Sequence, residues 1–283
     1  MVSKNKALSR LSKEMQDKLK HEQQEMEPKP MLATLTDEHF SDEQWIYERK
    51  LDGERCILMK KDNGIRILSR NMLEQKAFYP EICEALKEFS GNFTLDGEMV
   101  VFDGKTTSFS KLQNRIHKKN PDNELLKKYP VIIYIFDIIY LDGYNLKALP
   151  LRKRKGVLKA AFNFHSPIRF LPHRNKEGEK YFKQACQKNW EGIIAKRADS
   201  QYVSTRSKQW LKFKCHHQQE FVICGYTEPQ GERTGFGALL LGYYEQDKLK
   251  FAGRVGTGFD EDWLEDLHNK MKKRRKDDSP IEQ

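Results

Sequence analysis

From Met31 onward, short apolar runs alternate with turn residues and a few helix-like stretches. Residues 55–60, 66–69, 93–102, 131–141, 192–196 and 209–214 read as strands. Residues 79–89, 151–161 and 176–189 read as helices. The two kinds do not alternate regularly, which points to an α+β domain with largely antiparallel sheets. A second strand set covers 220–226, 238–244 and 248–254, followed by a helix over 260–273. The polar stretch 216–219 is the natural boundary, and its paired His216 and His217 read as solvated linker residues rather than ligands. Residues 1–30 are polar and lysine-rich and end in Pro28 and Pro30. Ala7, Leu8, Leu11, Met15 and Leu19 fall near helical spacing there, so a helix and a mobile arm are both open. The expected organisation is an N-terminal arm (1–30), a large domain (31–216) and a small β domain (217–283).

Composition narrows this only a little. Hydrophobic residues make up 38% of the chain, enough for a core, and the net charge is +10, which suits a polyanionic partner such as nucleic acid. The five cysteines are odd in number and none is paired as C-x-x-C. A disulfide framework or structural zinc site is therefore not expected, and a reducing cytoplasm is the natural compartment. The charged N-terminal end is not a signal peptide. The longest apolar stretch, 131–141, contains Asp137 and is too short to span a bilayer, so no membrane partner is expected.

Five segments carry candidate chemistry. The first is Lys50-Leu51-Asp52-Gly53-Glu54-Arg55. A lysine attacks phosphorus only as the neutral amine, so a nucleophilic Lys50 needs surrounding positive charge or desolvation. In Asp96-Gly97-Glu98 the strand period puts both carboxylates on one face, a plausible metal or ribose site. Phe136, in the apolar run before Asp137, is suited to core packing or to stacking on a purine. Trp190 to Lys196 places a carboxylate, Glu191, and an ammonium, Lys196, at the two ends of a short buried strand. In Trp210-Leu211-Lys212-Phe213-Lys214, alternation puts Lys212 and Lys214 on one face, where they repel unless an anion such as phosphate lies between them.

In this order and at these distances, the five segments resemble motifs I, III, IIIa, IV and V of the covalent nucleotidyltransferases: DNA ligases, RNA ligases and capping enzymes. The finer resemblance is to ATP-dependent DNA ligases, especially the ligase module of bacterial end-joining enzymes. It adds Lys29 to Thr34, Ser69-Arg70-Asn71, Leu141-Asp142-Gly143, Pro150 to Arg154, Gly225-Tyr226-Thr227 and Gly253 to Gly258, and covers about residues 28–270.

The resemblance implies ATP as AMP donor, Mg²⁺ or Mn²⁺ as metal, and sealing of 5′-phosphate/3′-hydroxyl nicks through a lysyl–AMP. Lys50 would be the nucleophile and Glu48 the reader of the adenine amino group. Arg55 and Glu98 would hold the ribose, Arg70 the 5′-phosphate, and Phe136 would stack on adenine. Glu98, Glu191 and Asp96 would lie at the metal, and Asp52 and Asp96 would act around the nick. Lys196, Lys212 and Lys214 would bind the nucleotide phosphates. The implied partners are nicked or broken duplex DNA and a Ku-type end-binding protein, with a monomeric, cytoplasmic, nucleoid-associated protein expected.

Two departures accompany the resemblance. Thr205 stands where the family usually has glycine. The family's second domain is a five-stranded OB-fold, and only three of its strands are legible, without the basic motif VI; residues 270–276 are basic but could equally be a solvated end. Within the superfamily, an RNA ligase or capping-type enzyme is the first alternative. A non-catalytic nick- or end-binding remnant is the second.

Overall fold

The computed structural model describes residues 5–215, 221–229, 231, 234–246, 248–276 and 278–279. The chain divides into two compact units, Met1–Cys215 and His216–Gln283, and the 216–219 stretch lies outside the described residues.

Two sheets build the first unit. One has seven strands, with Ile132–Leu141, Phe93–Val100, Glu54–Lys61 and Gly64–Ser69 antiparallel in that order. Ile168–Phe170 joins it in parallel alongside Ile132–Leu141. The other sheet has five strands in the order His173–Asn175, Trp45–Lys50, Gly192–Arg197, Arg206–Lys214, Leu32–Leu35. Only the last of its pairings is parallel. A core that includes Ile46 and Trp210 of the five-stranded sheet, and Ile57, Met59, Val100 and Phe136 of the seven-stranded sheet, joins the two. The strands alternate in side-chain direction, so each sheet has a second face with its own core. Behind the five-stranded sheet, Tyr47, Ile193, Ala195 and Phe213 pack on Tyr181 and Ala185 of the helix Gly178–Gln187. Behind the seven-stranded sheet, the larger core takes in the helix Pro80–Lys87.

Most expected elements form within one or two residues of their expected ends. The exceptions are informative. Trp45–Lys50 is a strand although its sequence is mixed, because it lies inside a sheet with partners on both sides. The N-terminal segment is not a free arm: Ala7, Leu8 and Leu11 are buried in the larger core, and Met15 and Leu19 pack against it. The expectation of no disulfide is also corrected. Cys186, near the end of the helix Gly178–Gln187, is bonded to Cys215, just past the strand Arg206–Lys214, with Cα atoms 5.3 Å apart. A separation of 29 residues gives no hint of this; only the packing of helix on sheet brings the pair within bridging distance.

Among its described residues, the second unit holds an antiparallel sheet of Val222–Tyr226, Leu239–Glu245 and Lys248–Val255, with the helix Glu261–Lys272. Phe236, Leu239 and Leu264 form its small core. Asp260 caps that helix, accepting from the Trp263 amide. No helix among the described residues is long and apolar enough to cross a membrane.

Candidate active site

The strand register assembles the site. In the five-stranded sheet, Glu48 lies beside Ile194, which lies beside Lys212; one step along, Lys50 lies beside Gly192, which lies beside Lys214. Three segments far apart in sequence thus give two neighbouring rows on one face. In the facing sheet Arg55 lies directly opposite Glu98. Two glycines make the close approaches possible. A Cβ on Gly53 would sit 2.1 Å from the Met99 carbonyl oxygen, and one on Gly192 would sit 2.0 Å from that of Phe213. Gly192 also has φ of +141°, which side-chain-bearing residues rarely adopt. These contacts account for the glycines that follow Asp52 and Glu191.

The rows open on a cleft of about 190 Å³. Glu48, Lys50, Arg55 and Arg70 line it, as do Glu98, Phe136, Lys196 and Lys212. At its floor the Glu48 carboxylate is held between two ammonium groups, Lys155 and, at 2.6 Å, Lys196; all three side chains are at most 3% exposed. Burial by itself raises the Glu48 pKa, but Lys155 and Lys196 outweigh it and hold the group below its usual value, ionised. Burial lowers Lys196 to about 8 against the pull of Glu48. Lys196 Nζ also lies 4.1 Å from the Phe136 ring centroid and 3.9 Å from that of Trp210.

At the rim, Lys50 donates to Glu191, whose other oxygen lies 3.4 Å from Lys214. Glu191 is therefore the anion beside Lys214. Burial, with Lys50, Lys214, Arg206 and Arg70 nearby, lowers the Lys212 pKa. Lys212 has no ion-pair partner among the described residues, so this wall offers a cation to an incoming anion. Glu98 is pushed up to about 7, mainly by burial and against the pull of Arg55 and Lys50.

Several expected residues lie elsewhere than the sequence suggested. Asp96 does share a face with Glu98, but its carboxylate is fully buried and takes three hydrogen bonds. Arg55 Nε donates to it at 2.5 Å and Arg55 Nη2 at 2.6 Å, and the Tyr202 hydroxyl donates at 2.6 Å. It thus anchors Arg55, whose guanidinium lies 4.4 Å over the Phe136 ring, and it is not among the side chains that line the cleft. Asp52 does not line the cleft; it accepts from the Phe109 amide, and its own amide donates to Thr107 Oγ1. Asp52 therefore pins the 107–109 turn. Glu191 and Lys214 do not line the cleft but reach it through Lys50.

Two residues escaped sequence reading. Arg206 lines the cleft and donates to the Ala33 carbonyl; it lies beyond the expected strand 209–214 and across an irregularity between Ser207 and Leu211, so alternation gave no signal for it. Lys155 is buried behind Glu48, and its inward helical phase beside Leu151, Arg154 and Leu158 was the signal there.

The cleft suits a purine nucleotide: aromatic rings and a buried carboxylate at one end, lysines and arginines toward the rim. Among the described residues no three His, Cys, Asp or Glu side chains cluster as a metal site. Magnesium commonly takes one or two carboxylates together with substrate phosphates. Glu98 and Glu191, the carboxylates near Lys50, fit that donor set.

Residues 30–214 match the model of the ATP dependent DNA ligase domain, and residues 232–283 that of the ATP dependent DNA ligase C terminal region. The chain belongs to the ATP-dependent DNA ligase family. It is 37% identical over 237 residues to the multifunctional non-homologous end joining protein LigD of Pseudomonas aeruginosa, a match covering 81% of this chain and 27% of that one. To the SPbeta prophage-derived DNA ligase-like protein LigB of Bacillus subtilis it is 34% identical, with 82% and 87% covered. A solved structure of mycobacterial DNA ligase D complexed with ATP and MES aligns with a TM-score of 0.61 and 31% identity, over 91% of this chain and 82% of that one. The chain thus has an α+β nucleotidyltransferase unit with largely antiparallel sheets, followed by an OB-type unit. The chain spans about a quarter to two-fifths of the length of the curated relatives it matches first.

Proposed function

We propose that this ligase module joins 5′-phosphate and 3′-hydroxyl ends at nicks in duplex DNA, using ATP. The observation that carries the reading is the convergence of Lys50, Glu98, Phe136, Lys196 and Lys212 on one cleft from separate segments of the chain. In the first step the neutral Lys50 amine attacks the α-phosphorus of ATP. A phosphorus–nitrogen bond forms, the bond to pyrophosphate breaks, and Glu191, already hydrogen-bonded to Nζ, is placed to receive the amine proton. The 5′-phosphate of the nick then takes AMP from Lys50, and the 3′-hydroxyl displaces AMP to close the strand. Lys196 and Lys212 stabilise phosphate charge, and Phe136 and Glu48 hold the base. Mg²⁺ or Mn²⁺ held by Glu98 and Glu191 would spread charge at phosphorus.

Radiolabelled ATP with Mg²⁺, followed by denaturing electrophoresis, tests this. Wild type carries a covalent label and Lys50→Ala carries none; equal labelling of the two would refute the assignment. The names of the LigD relatives support a role in non-homologous end joining; a Ku-type partner and a place at the bacterial nucleoid are part of the same proposal and rest on the family resemblance alone. Joining of broken duplex ends with and without such a partner tests that role separately.

A further inference from the structure

The buried ammonium of Lys155 has no role in the chemistry above, yet every group it hydrogen-bonds belongs to a residue that lines the cleft. Its side chain is 2% exposed. Nζ donates to Glu48 Oε1, to the Phe136 carbonyl at 3.2 Å and to the Leu171 carbonyl at 3.1 Å. An ammonium has three protons, so all are engaged and none remains for a ligand. Glu48, Phe136 and Leu171 all line the cleft, while Lys155 does not. The helix Leu151–Ala161 therefore reaches through the floor and ties together the carboxylate, the aromatic ring and an apolar wall from behind.

We infer that Lys155 is a positioning residue for nucleobase selection: it holds Glu48 as an oriented, acceptor-only carboxylate that favours a base with an exocyclic amino group at purine position 6. The inference rests on the reading of Glu48 as the group facing the base. An ionised carboxylate accepts hydrogen bonds and donates none. It pairs with the 6-amino group of adenine and opposes the 6-oxo group of guanine, leaving two acceptors face to face. Lys155 occupies one carboxylate oxygen and Lys196 the other, so the side chain cannot rotate away from either. Without Lys155, Glu48 keeps one anchor and the Phe136 and Leu171 carbonyls lose a shared donor. A site that hydrogen-bonds its substrate discriminates strongly because the wrong substrate leaves buried polar groups unpaired.

The experiment is single-turnover labelling of Lys50 with ATP and, separately, with GTP, in wild type, Lys155→Met, Lys155→Gln and Lys155→Arg, with thermal melts alongside. In Lys155→Met the ATP concentration for half-maximal labelling rises on the order of tenfold or more. The maximal rate changes much less, GTP labelling is little altered, and the ATP-over-GTP preference falls by a similar factor. Lys155→Arg recovers part of the preference by restoring the charge. Lys155→Gln keeps two donors without charge and serves where the methionine variant does not fold. Equal loss with ATP and GTP, or an unchanged preference, overturns the inference. Absence of a Lys50-dependent label in wild type would instead refute the ligase reading on which it rests.

Discussion

Asp96→Asn separates two incompatible roles for one carboxylate. As a metal or nick ligand, Asp96 would be dispensable to folding, and its loss would appear only in catalysis. The structure instead buries it completely and gives it two hydrogen bonds from Arg55 and one from Tyr202. Asparagine has the same shape, but its amide nitrogen faces donors and its charge is gone. Arg55, its side chain 19% exposed, is left without its buried counter-ion; breaking a fully buried pair from one side costs about 3–5 kcal/mol, the upper bound here. For a unit of this size about 2–4 °C accompanies each kcal/mol, so the first unit should melt lower by as much as roughly 20 °C. Thermal melts by circular dichroism, with urea titration as a second measure, read this directly. Labelling of Lys50 should fall at temperatures where the variant is still folded, because Arg55 no longer has a fixed position over Phe136. A variant that melts within about 1 °C of wild type and loses only its response to Mg²⁺ would refute the anchoring argument.

Further outcomes follow from the same geometry. Gly53→Ala should destabilise the fold by more than about 2 kcal/mol, since its Cβ would lie 2.1 Å from a backbone oxygen that cannot yield cheaply; a denaturant titration checks it. Glu98 carries a carboxyl pushed up to about 7 by burial, so it is ionised only as pH rises through that value. Because its folded pKa lies above its unfolded one, ionised Glu98 opposes folding at pH 8, and Glu98→Gln should gain stability there but not at pH 4; melts at the two pH values test the sign. Reducing the Cys186–Cys215 bridge should lower stability by about 2–4 kcal/mol; equal melts of wild type with and without reductant would contradict this.

The sequence by itself determined which residue types the site would contain. Strand period two places Lys212 beside Lys214 and Asp96 beside Glu98, and the order of five short segments resembles a single superfamily. Helices such as 151–161 were legible because their apolar spacing is local. Only the tertiary structure decided which like-looking residues do different work. Asp96 and Glu98 differ by two positions on one face, yet one is closed off by Arg55 and Tyr202 while the other lines the cleft. Lys155 sits in a run of four basic residues; helical phase sets it apart from Lys153, but only the sheet behind its helix pairs it with Glu48. Cys186 and Cys215 meet because a helix lies across a sheet, an event with no trace in their spacing. Periodicity and motif order are written along the chain. Burial, pairing and charge compensation depend on which distant segments become neighbours, and that is settled only when the two sheets close over their shared core.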